Sequence, residues 1–410
     1  MPTPSDRVAS PAGKPGGTPR FAAPVVAFAF WITMVGTTVP TPLYPLYEND
    51  FSFSPIMVTV IFAVYAIGVV VGLLTFGRLS DQIGRRPVLM AATVLSVCAA
   101  VVFLIAGDVP VLLFGRVLSG FSAALVTGAG TAALTELMPP DGRVRPATVA
   151  LFANMGGLAC GPLLAGVLAD TAPSPLRTPW VVSLVLAALA LAGLALTPET
   201  ARHRTGFTFR FQPLHVPAEI RSDFLRSAMV TGTGFAVLGV LTAVTGLFLG
   251  DVLHDTDHTL TGAVVFTAFV CTALGQLLIR RIGSGPALTV ACVGLIVAAA
   301  LIATAMVTET LAPLIVGAAV NGLATGIAIG YGLGTITTRS DPEHRGAAVS
   351  TFFAILYTML AVPSIGVGVL IHVSSLRPAG EVFSCAVALL ALAVLVSLAA
   401  GRRTGEGGGT

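Results

Sequence analysis

The sequence predicts an all-α membrane protein in which twelve transmembrane helices form two pseudo-symmetric six-helix bundles. Three observations support this prediction: the chain is strongly apolar, it contains twelve long apolar segments, and its second half aligns with its first. Hydrophobic residues make up 55% of the 410 positions, and the mean hydropathy is +0.91. A soluble fold of this size could not bury so much apolar surface. We therefore place the chain in lipid.

The apolar segments are continuous rather than alternating, which excludes the strands of a transmembrane β-barrel. Residues 56–76, for example, form a run of about 20 residues without a charge, enough for a helix to cross roughly 30 Å of hydrocarbon. The predicted spans lie near residues 21–43, 55–76, 87–107, 110–135, 146–169, 178–197, 227–250, 259–279, 286–307, 310–335, 346–372 and 380–400.

Polar segments divide the chain into five parts. Residues 1–20 are rich in Pro and Gly, so we predict a disordered cytoplasmic tail, with no signal-peptide cleavage because a full-length span follows it. Residues 21–197 and 227–400 are predicted to form the N-terminal and C-terminal six-helix bundles. Residues 198–226 are predicted to form a cytoplasmic central loop, and residues 401–410 a second cytoplasmic tail.

Lys and Arg residues are concentrated on one side of the predicted bundle. Nineteen of the 22 lie in the tails and loops on the side of the termini, whereas Arg177 and Arg377 lie on the other side and Arg116 lies within a span. Short cytoplasmic loops hold such an excess. We therefore predict a multi-pass protein of a bacterial cytoplasmic (plasma) membrane with both termini cytoplasmic. The net charge of +3 does not indicate nucleic-acid binding.

The two halves of the sequence align with each other on either side of the central loop. The alignment pairs Asp141 with Asp341, Arg145 with Arg345, Ala147 with Ala347, Val149 with Val349, Gly115 with Gly317 and Gly120 with Gly322. Two six-helix halves related by an axis along the membrane normal are one architecture of membrane transporters, whose substrate site lies near the midplane between the halves.

The loop between the second and third spans has the sequence GRLSDQIGRRP, residues 77–87. It resembles the signature loop of the major facilitator superfamily, G-x-L-a-D-r-x-G-r-k, in its residues, its position and its cytoplasmic side. LLFGRVLSG, residues 112–120, resembles the family's fourth-helix motif, with Arg116 as its arginine. Pro198-Glu199-Thr200 matches the usual exit from the sixth helix.

A fourth stretch, GLACGPLLAG at residues 157–166, resembles the fifth-helix motif typical of the family's exporters. Its motif residues are Gly157, Gly161, Pro162 and Gly166, and Ala165 stands where a second glycine is common. Small residues allow close helix packing and proline kinks a helix. Ordinary packing, which implies no direction of transport, is the alternative interpretation.

The loop at 77–87 is predicted to be a conformational latch. Glycines permit a tight turn, and its charges can form strong hydrogen bonds. The resemblance implies that Asp81 faces the helix starting near Gly346, whose dipole favours an anion, and that an arginine pairs with Glu136. The predicted latch, which joins the halves when the protein opens outward, consists of Gly77, Asp81, Gly84, Arg85, Arg86 and Glu136. Alternatively, these charges only fix the topology.

Arg116 needs compensation, because a charge at the centre of a span costs about 2.5–3.5 kcal/mol on insertion scales. Arg116, Gly120, Ala123 and Thr127 share one helix face. This spacing predicts that the arginine points into a hydrated cavity. The alternative is that its side chain extends to the outer headgroups.

The resemblance also implies a substrate cavity, lined in this family mainly by helices one, four, seven and ten with help from five and eleven. Aromatic and aliphatic walls with a few polar groups suit a moderately lipophilic organic molecule. Packing is the alternative for each residue. The predicted lining residues are Trp31, Met34, Thr38, Arg116, Asn154, Phe235, Thr242, Asn321, Thr325 and Tyr357.

Proton coupling requires a titratable group whose hydration changes between states. No Asp or Glu lies deep within a predicted span, so the candidates are peripheral. They are Asp50, Asp81, Glu136 and His372, with Glu48 and Asp170 as further possibilities.

These features predict a secondary active transporter that works by alternating access, with proton-coupled efflux of small, moderately lipophilic organic compounds or drugs as the main hypothesis. A facilitator or proton symporter that imports a sugar, organic acid or other small metabolite is the alternative. A polytopic membrane enzyme is a remote third: His254 and His258 lie in an acidic stretch that could bind a metal, although an acidic outer loop also explains it.

We expect no enzymatic activity, no metal site and no cofactor. The expected partners are a small-molecule substrate, protons as the coupling ion and the lipid bilayer, without nucleic acid. We expect the protein to be a monomer.

Overall fold

The computed structural model describes residues 21–139, 142, 144–201, 214–216, 218–341 and 344–406. Within these residues, twelve helices are long and apolar enough to cross a membrane. They are α1 (Ala22–Thr38), α2 (Pro55–Phe76), α3 (Arg85–Leu104), α4 (Val109–Leu137), α5 (Pro146–Thr171), α6 (Thr178–Leu196), α7 (Arg221–Leu247), α8 (His258–Ile282), α9 (Ser284–Thr308), α10 (Leu311–Arg339), α11 (Arg345–Val373) and α12 (Leu376–Glu406). The predicted tail at 1–20, residues 202–213 and 217 of the predicted central loop, the last four residues of the second tail and Asp141 lie outside the described residues.

Every predicted span coincides with one of these helices, so the all-α, twelve-helix prediction is confirmed. The helices differ from the prediction at their ends. A 3-10 turn (Thr41–Leu43) and a short helix (Tyr44–Phe51) prolong α1, and α7 begins at Arg221, within the predicted central loop. Asp108 accepts a 3.0 Å hydrogen bond from the Val111 amide at the start of α4. The added turns at Tyr44–Phe51 and from Arg221 contain charged residues, so the hydropathy of the sequence did not predict them as part of the spans.

The two halves, α1–α6 and α7–α12, pack internally in the same way. Gly120 of α4 lies so close to α2 that an added Cβ would overlap the Tyr65 carbonyl oxygen. The residue aligned with it, Gly322 of α10, lies just as close to the Ala268 carbonyl oxygen of α8. Glycine at both positions lets two helices approach closely, which supports the repeat seen in the sequence.

The halves contact each other mainly through α2 with α11 and α5 with α8. We call the end of the bundle where α1 begins and α12 ends the terminal face, and the other end the opposite face. The closest contacts lie toward the opposite face: an added Cβ at Gly166 of α5 would overlap the His258 carbonyl oxygen, and one at Gly262 of α8 would overlap that of Pro162. Gly368 of α11 is similarly close to the Thr59 side chain of α2.

The extension of α1 also takes part in this closure. A Cβ added at Gly246, near the end of α7, would lie 3.0 Å from Cγ of Pro45. Among the described residues, α4 and α5 make no extended contact with α10 and α11 toward the terminal face. The conformation is therefore closed at the opposite face, with the halves further apart at the terminal face.

Candidate functional site

A central cavity lies between the two halves. Its volume is about 710 Å³, including the part that is open to solvent. Its lining is apolar and aromatic, with a few hydroxyl and amide groups and no charged side chain among the residues described: Thr38, Phe62, Tyr65, Val69, Leu73, Ala124, Thr127, Asn154, Met155, Leu158, Phe235, Leu238, Thr242, Phe269, Phe353, Tyr357 and Leu360.

Five of the predicted cavity residues lie on this lining: Thr38, Asn154, Phe235, Thr242 and Tyr357. The two threonine hydroxyl groups are already bonded to backbone, since Thr38 donates to the Leu158 carbonyl oxygen at 3.0 Å and Thr242 to that of Leu238 at 2.7 Å. The Asn154 Oδ1 atom is buried without a hydrogen-bond partner. Asn154 therefore offers an acceptor that a ligand can satisfy.

The other five predicted cavity residues lie off this lining, because helix packing covers them. Met34, Asn321 and Thr325 are fully buried, and the Thr325 hydroxyl donates to the Asn321 carbonyl oxygen at 2.7 Å. Trp31 packs on the Phe28 ring with centroids 6.2 Å apart. The fifth is Arg116. A role in substrate contact stays a prediction for each of them.

Sequence reasoning missed the aromatic part of the lining. The Tyr65 ring meets the Tyr357 ring edge to face across the two halves, with centroids 6.4 Å apart, and Phe235 meets Tyr357 at 5.9 Å. The residue type could have indicated that Tyr65 lines the cavity. Tyrosine occurs only five times in the chain, and its hydroxyl group is costly in the middle of a span.

Arg116 is buried behind one wall of the cavity rather than exposed in it. Its side chain is 1% exposed. Nη1 donates to the Thr37 carbonyl oxygen at 2.7 Å and Nε to that of Ile61 at 3.3 Å. The guanidinium carbon also lies 4.9 Å from the centre of the Tyr65 ring and 5.9 Å from that of Phe62. Carbonyl oxygens and aromatic faces thus offset part of the cost of burying the Arg116 charge within a span.

The predicted latch residues come together at the terminal face. Arg85 forms ion pairs with Asp81 and, at 3.1 Å, with Glu136 at the end of α4. Arg86 donates to the Ala195 carbonyl oxygen of α6. These partners all belong to the N-terminal half, and among the described residues no ion pair joins Asp81 to the start of α11. The predicted latch joins the halves when the protein opens outward, and this role stays a prediction.

Glu199 is a residue that sequence reasoning did not assign to the latch. Its carboxylate accepts hydrogen bonds from the amides of Arg85 at 2.9 Å and Arg86 at 3.2 Å, so it caps the start of α3. Gly84, which precedes them, has a φ of 113°, and a Cβ there would overlap the Glu199 carboxylate. Glycine is therefore required at this turn, while Gly77 ends α2 in ordinary helical geometry.

The fifth-helix motif lies where α5 contacts two other helices. Gly157 and Gly161 are close to α1. A Cβ added at Gly157 would lie 2.6 Å from Met34 Cβ, and a Cβ added at Gly161 would overlap the Thr38 side chain. Pro162 and Gly166 face α8 of the other half. The motif therefore brings α5 against both its own bundle and the opposite one.

A carboxylate joins the halves beside this motif. Asp170 Oδ1 accepts from the His258 amide at 3.2 Å and lies 2.7 Å from His258 Nδ1. Its Oδ2 accepts from the Thr259 amide at 2.7 Å and from the Thr259 hydroxyl at 2.6 Å. Asp170 of one half thus caps the first turn of α8 in the other. We call these three residues the outer clamp.

The remaining candidates lie at the opposite face. Asp50 and His372 are exposed at helix ends. In the acidic stretch, Asp257 accepts from the Leu260 amide at 2.9 Å and caps α8, while His254 is exposed. Within the described ranges, no three His, Cys, Asp or Glu residues lie close enough together to hold a metal ion.

Comparison with known proteins assigns the chain to a family. The sequence profile of the Major Facilitator Superfamily matches residues 26–363. The chain is 28% identical over 148 residues to putative multidrug resistance proteins MdtD of Salmonella typhimurium and Klebsiella pneumoniae. The alignment covers 36% of this chain and 32% and 31% of those proteins. The chain thus spans about a third of the length of the curated relatives it matches.

Solved structures share the whole architecture. The nucleoside transporter NupG superposes with a TM-score of 0.70 at 14% identity, covering 91% of this chain and 98% of that chain. The human organic anion transporter MFSD10 gives a TM-score of 0.66 at 17% identity, covering 92% and 99%. A bacterial homolog of the human lysosomal transporter Spinster gives 0.66 at 15%, covering 93% and 95%. At these identities, the likenesses show the fold alone.

Proposed function

Since the chain belongs to the Major Facilitator Superfamily, we propose that this membrane transporter exports small, moderately lipophilic organic compounds in exchange for protons. The observation that supports a small-molecule substrate best is the central cavity, whose apolar and aromatic lining contains few polar groups. It lies between two halves that contact each other closely at one face, as alternating access requires.

The charge distribution supports the orientation. The terminal face holds most of the Lys and Arg residues, so we place it, and both termini, in the cytoplasm. The conformation is then closed to the outside. The membrane is that of a bacterial cell, and protons are the coupling ion in this proposal.

Two features favour export over import. The fifth-helix motif at Gly157, Gly161, Pro162 and Gly166 contacts α1 and α8, and it resembles the motif of exporters. The curated relatives that match part of the chain are named putative multidrug resistance proteins. A facilitator or proton symporter that imports a small metabolite is the second candidate, because no acidic residue lies among the cavity residues described to exchange a proton for the compound.

The proposal is tested by a pH assay in energised inverted membrane vesicles, whose lumen is acidic. An exporter coupled to protons moves the added compound inward and protons outward, so a transported compound should raise the lumenal pH at once. Vesicles without the protein are the control. A set of lipophilic compounds that leaves the pH unchanged in both preparations would contradict the proposal. Movement of a compound out of the lumen together with protons would favour the symporter.

We expect Asp81→Asn to lower the transport rate about tenfold or more while the protein remains folded and inserted. The substitution removes the charge that pairs with Arg85 in this conformation and that is predicted to face the α11 dipole in the other. Asp223→Asn is the matched control, because it neutralises a carboxylate of an exposed ion pair with Arg339 within one half, which contributes little. Full transport by the Asp81 variant would refute the latch.

Asp170→Asn should favour the conformation that is open at the opposite face. A carboxylate that accepts hydrogen bonds from both His258 and Thr259 stabilises the closed face, and bonds to a charged group contribute about 1.5–3 kcal/mol each. We therefore expect about tenfold faster labelling of a single cysteine at Thr245 by an impermeant maleimide.

Asp257→Asn provides the control for this test. Asp257 also caps α8, but it bonds within its own half. An unchanged labelling rate in the Asp170 variant, or an equal increase in both variants, would show that the outer clamp does not hold the halves together.

A further inference from the structure

We propose that the buried charge of Arg116 makes the central cavity select against organic cations, so that its substrates are neutral or anionic aromatic compounds. This inference rests on the proposed transport function and names the substrate class of the same cavity. It follows from the position of one positive charge and from the lack of an opposing charge around it.

Arg116 carries a charge that its contacts do not neutralise. It is the only charged side chain that is fully buried among the described residues. Its two hydrogen bonds go to backbone carbonyl oxygens, those of Thr37 and Ile61, which are dipoles without net charge. No carboxylate pairs with it in the part of the chain that the structure describes. The guanidinium therefore leaves a net positive field in its surroundings.

This charge lies one layer of aromatic rings away from the cavity. The guanidinium carbon is 4.9 Å from the centre of the Tyr65 ring and 5.9 Å from that of Phe62, and both residues line the cavity. Aromatic rings and hydrocarbon screen a charge much less than water does. A ligand in the cavity is therefore subject to the field of Arg116.

The cavity offers a cation no compensating partner of its own. None of its lining residues is acidic. Its tyrosine nearest Arg116 already has the guanidinium over its ring, so that ring cannot attract a second cation equally well. An anion, in contrast, gains from the field of Arg116, and a neutral ligand is indifferent to it.

The test compares two dyes with the same three-ring xanthene core and opposite charge, the anion fluorescein and the cation rhodamine 123. Their binding to the wild-type protein in nanodiscs of neutral phosphatidylcholine is measured by fluorescence anisotropy at pH 8, with empty nanodiscs subtracted. We expect fluorescein to bind at least about tenfold more tightly, given the Coulomb energies at such separations. Equal binding, tighter binding of rhodamine 123, or binding of neither dye would overturn the inference.

Asn154→Asp provides a test that leaves Arg116 in place. It adds a carboxylate of nearly the same shape to the lining, where Oδ1 has no partner, and should reduce the preference for the anion about tenfold. Arg116→Gln should do the same if it folds, whereas Arg177→Gln, which removes an exposed arginine, should not change the preference. An unchanged ratio in the Asn154 variant would refute the inference.

The two proposals fail differently. A protein that passes the vesicle pH assay but binds rhodamine 123 as tightly as fluorescein remains a proton-coupled exporter, and only the charge selectivity of its cavity is refuted. A protein that discriminates between the dyes as expected but never changes the lumenal pH retains its substrate class and loses proton coupling.

Discussion

Arg116→Ala is expected to destabilise the protein by about 3–5 kcal/mol and to abolish transport. The carbonyl oxygens of Thr37 and Ile61 lose the hydrogen bonds from the guanidinium, and hydrogen bonds to a charged group contribute about 1.5–3 kcal/mol each. The truncated side chain also leaves a cavity among the surrounding aromatic rings. Thermal unfolding of the purified protein in detergent measures the effect, as a drop of about 5 °C or more in Tm.

Two further variants make this result specific. Arg116→Lys keeps the charge, but a single ammonium group cannot reproduce the planar fork that serves both carbonyl groups, so an intermediate Tm is expected. Arg177→Ala removes an exposed arginine and should leave Tm unchanged. A wild-type Tm for Arg116→Ala would contradict the burial and bonding of this side chain.

Gly166→Leu is expected to reduce transport about 10- to 100-fold while the protein still folds. Even a Cβ at this position would overlap the His258 carbonyl oxygen of the other half, so α5 and α8 could not come together and the opposite face could not close. Overpacking of this kind costs about 1–3 kcal/mol or more. A cost of this size shifts the equilibrium between the open and closed opposite face by about 10- to 100-fold. Transport in the vesicle assay provides the measurement.

Gly366→Leu is the matched control for this variant. Gly366 of α11 is exposed, and a Cβ there would meet nothing within 4 Å, so transport should be retained. If Gly166→Leu transported at the wild-type rate, close approach of α5 and α8 would not be part of the cycle.

The sequence was sufficient to predict the twelve helices, for a physical reason. In lipid, each backbone amide and carbonyl must be bonded within its own helix, so a long apolar run can hardly form anything else. The helix ends were less predictable. The start of α7 at Arg221 and the helix up to Phe51 after α1 contain charged residues, so a search for apolar runs does not detect them.

The cavity was predicted only in part, because its lining depends on how each helix is rotated. Asn154 and Thr242 were found as polar residues on the expected helices. Phe269 and Phe353 also line the cavity, but a phenylalanine in an apolar helix faces lipid or protein equally well. Packing with neighbouring helices decides the rotation, and a single sequence does not show that packing.

The environments of the charged residues illustrate the same limit. The cost of burying Arg116 was evident from its position, yet its partners are backbone carbonyl oxygens, which any residue could have supplied. Glu199 caps α3 from more than a hundred residues away. Asp170 of one half contacts His258 of the other. Neither contact leaves a local pattern in the sequence.

The central claim is that the two halves alternate around the cavity, and distances between spin labels test it most directly. After replacement of the five native cysteines, one pair of labels at Thr171 and Thr256 reports on the opposite face, and a second pair at Thr135 and Thr338 reports on the terminal face. All four positions are exposed.

When a transported compound or a change of pH is applied, the Thr171–Thr256 distance should lengthen while the Thr135–Thr338 distance shortens. Two distances that stay fixed under all conditions, or that change in the same direction, would contradict alternating access by these halves.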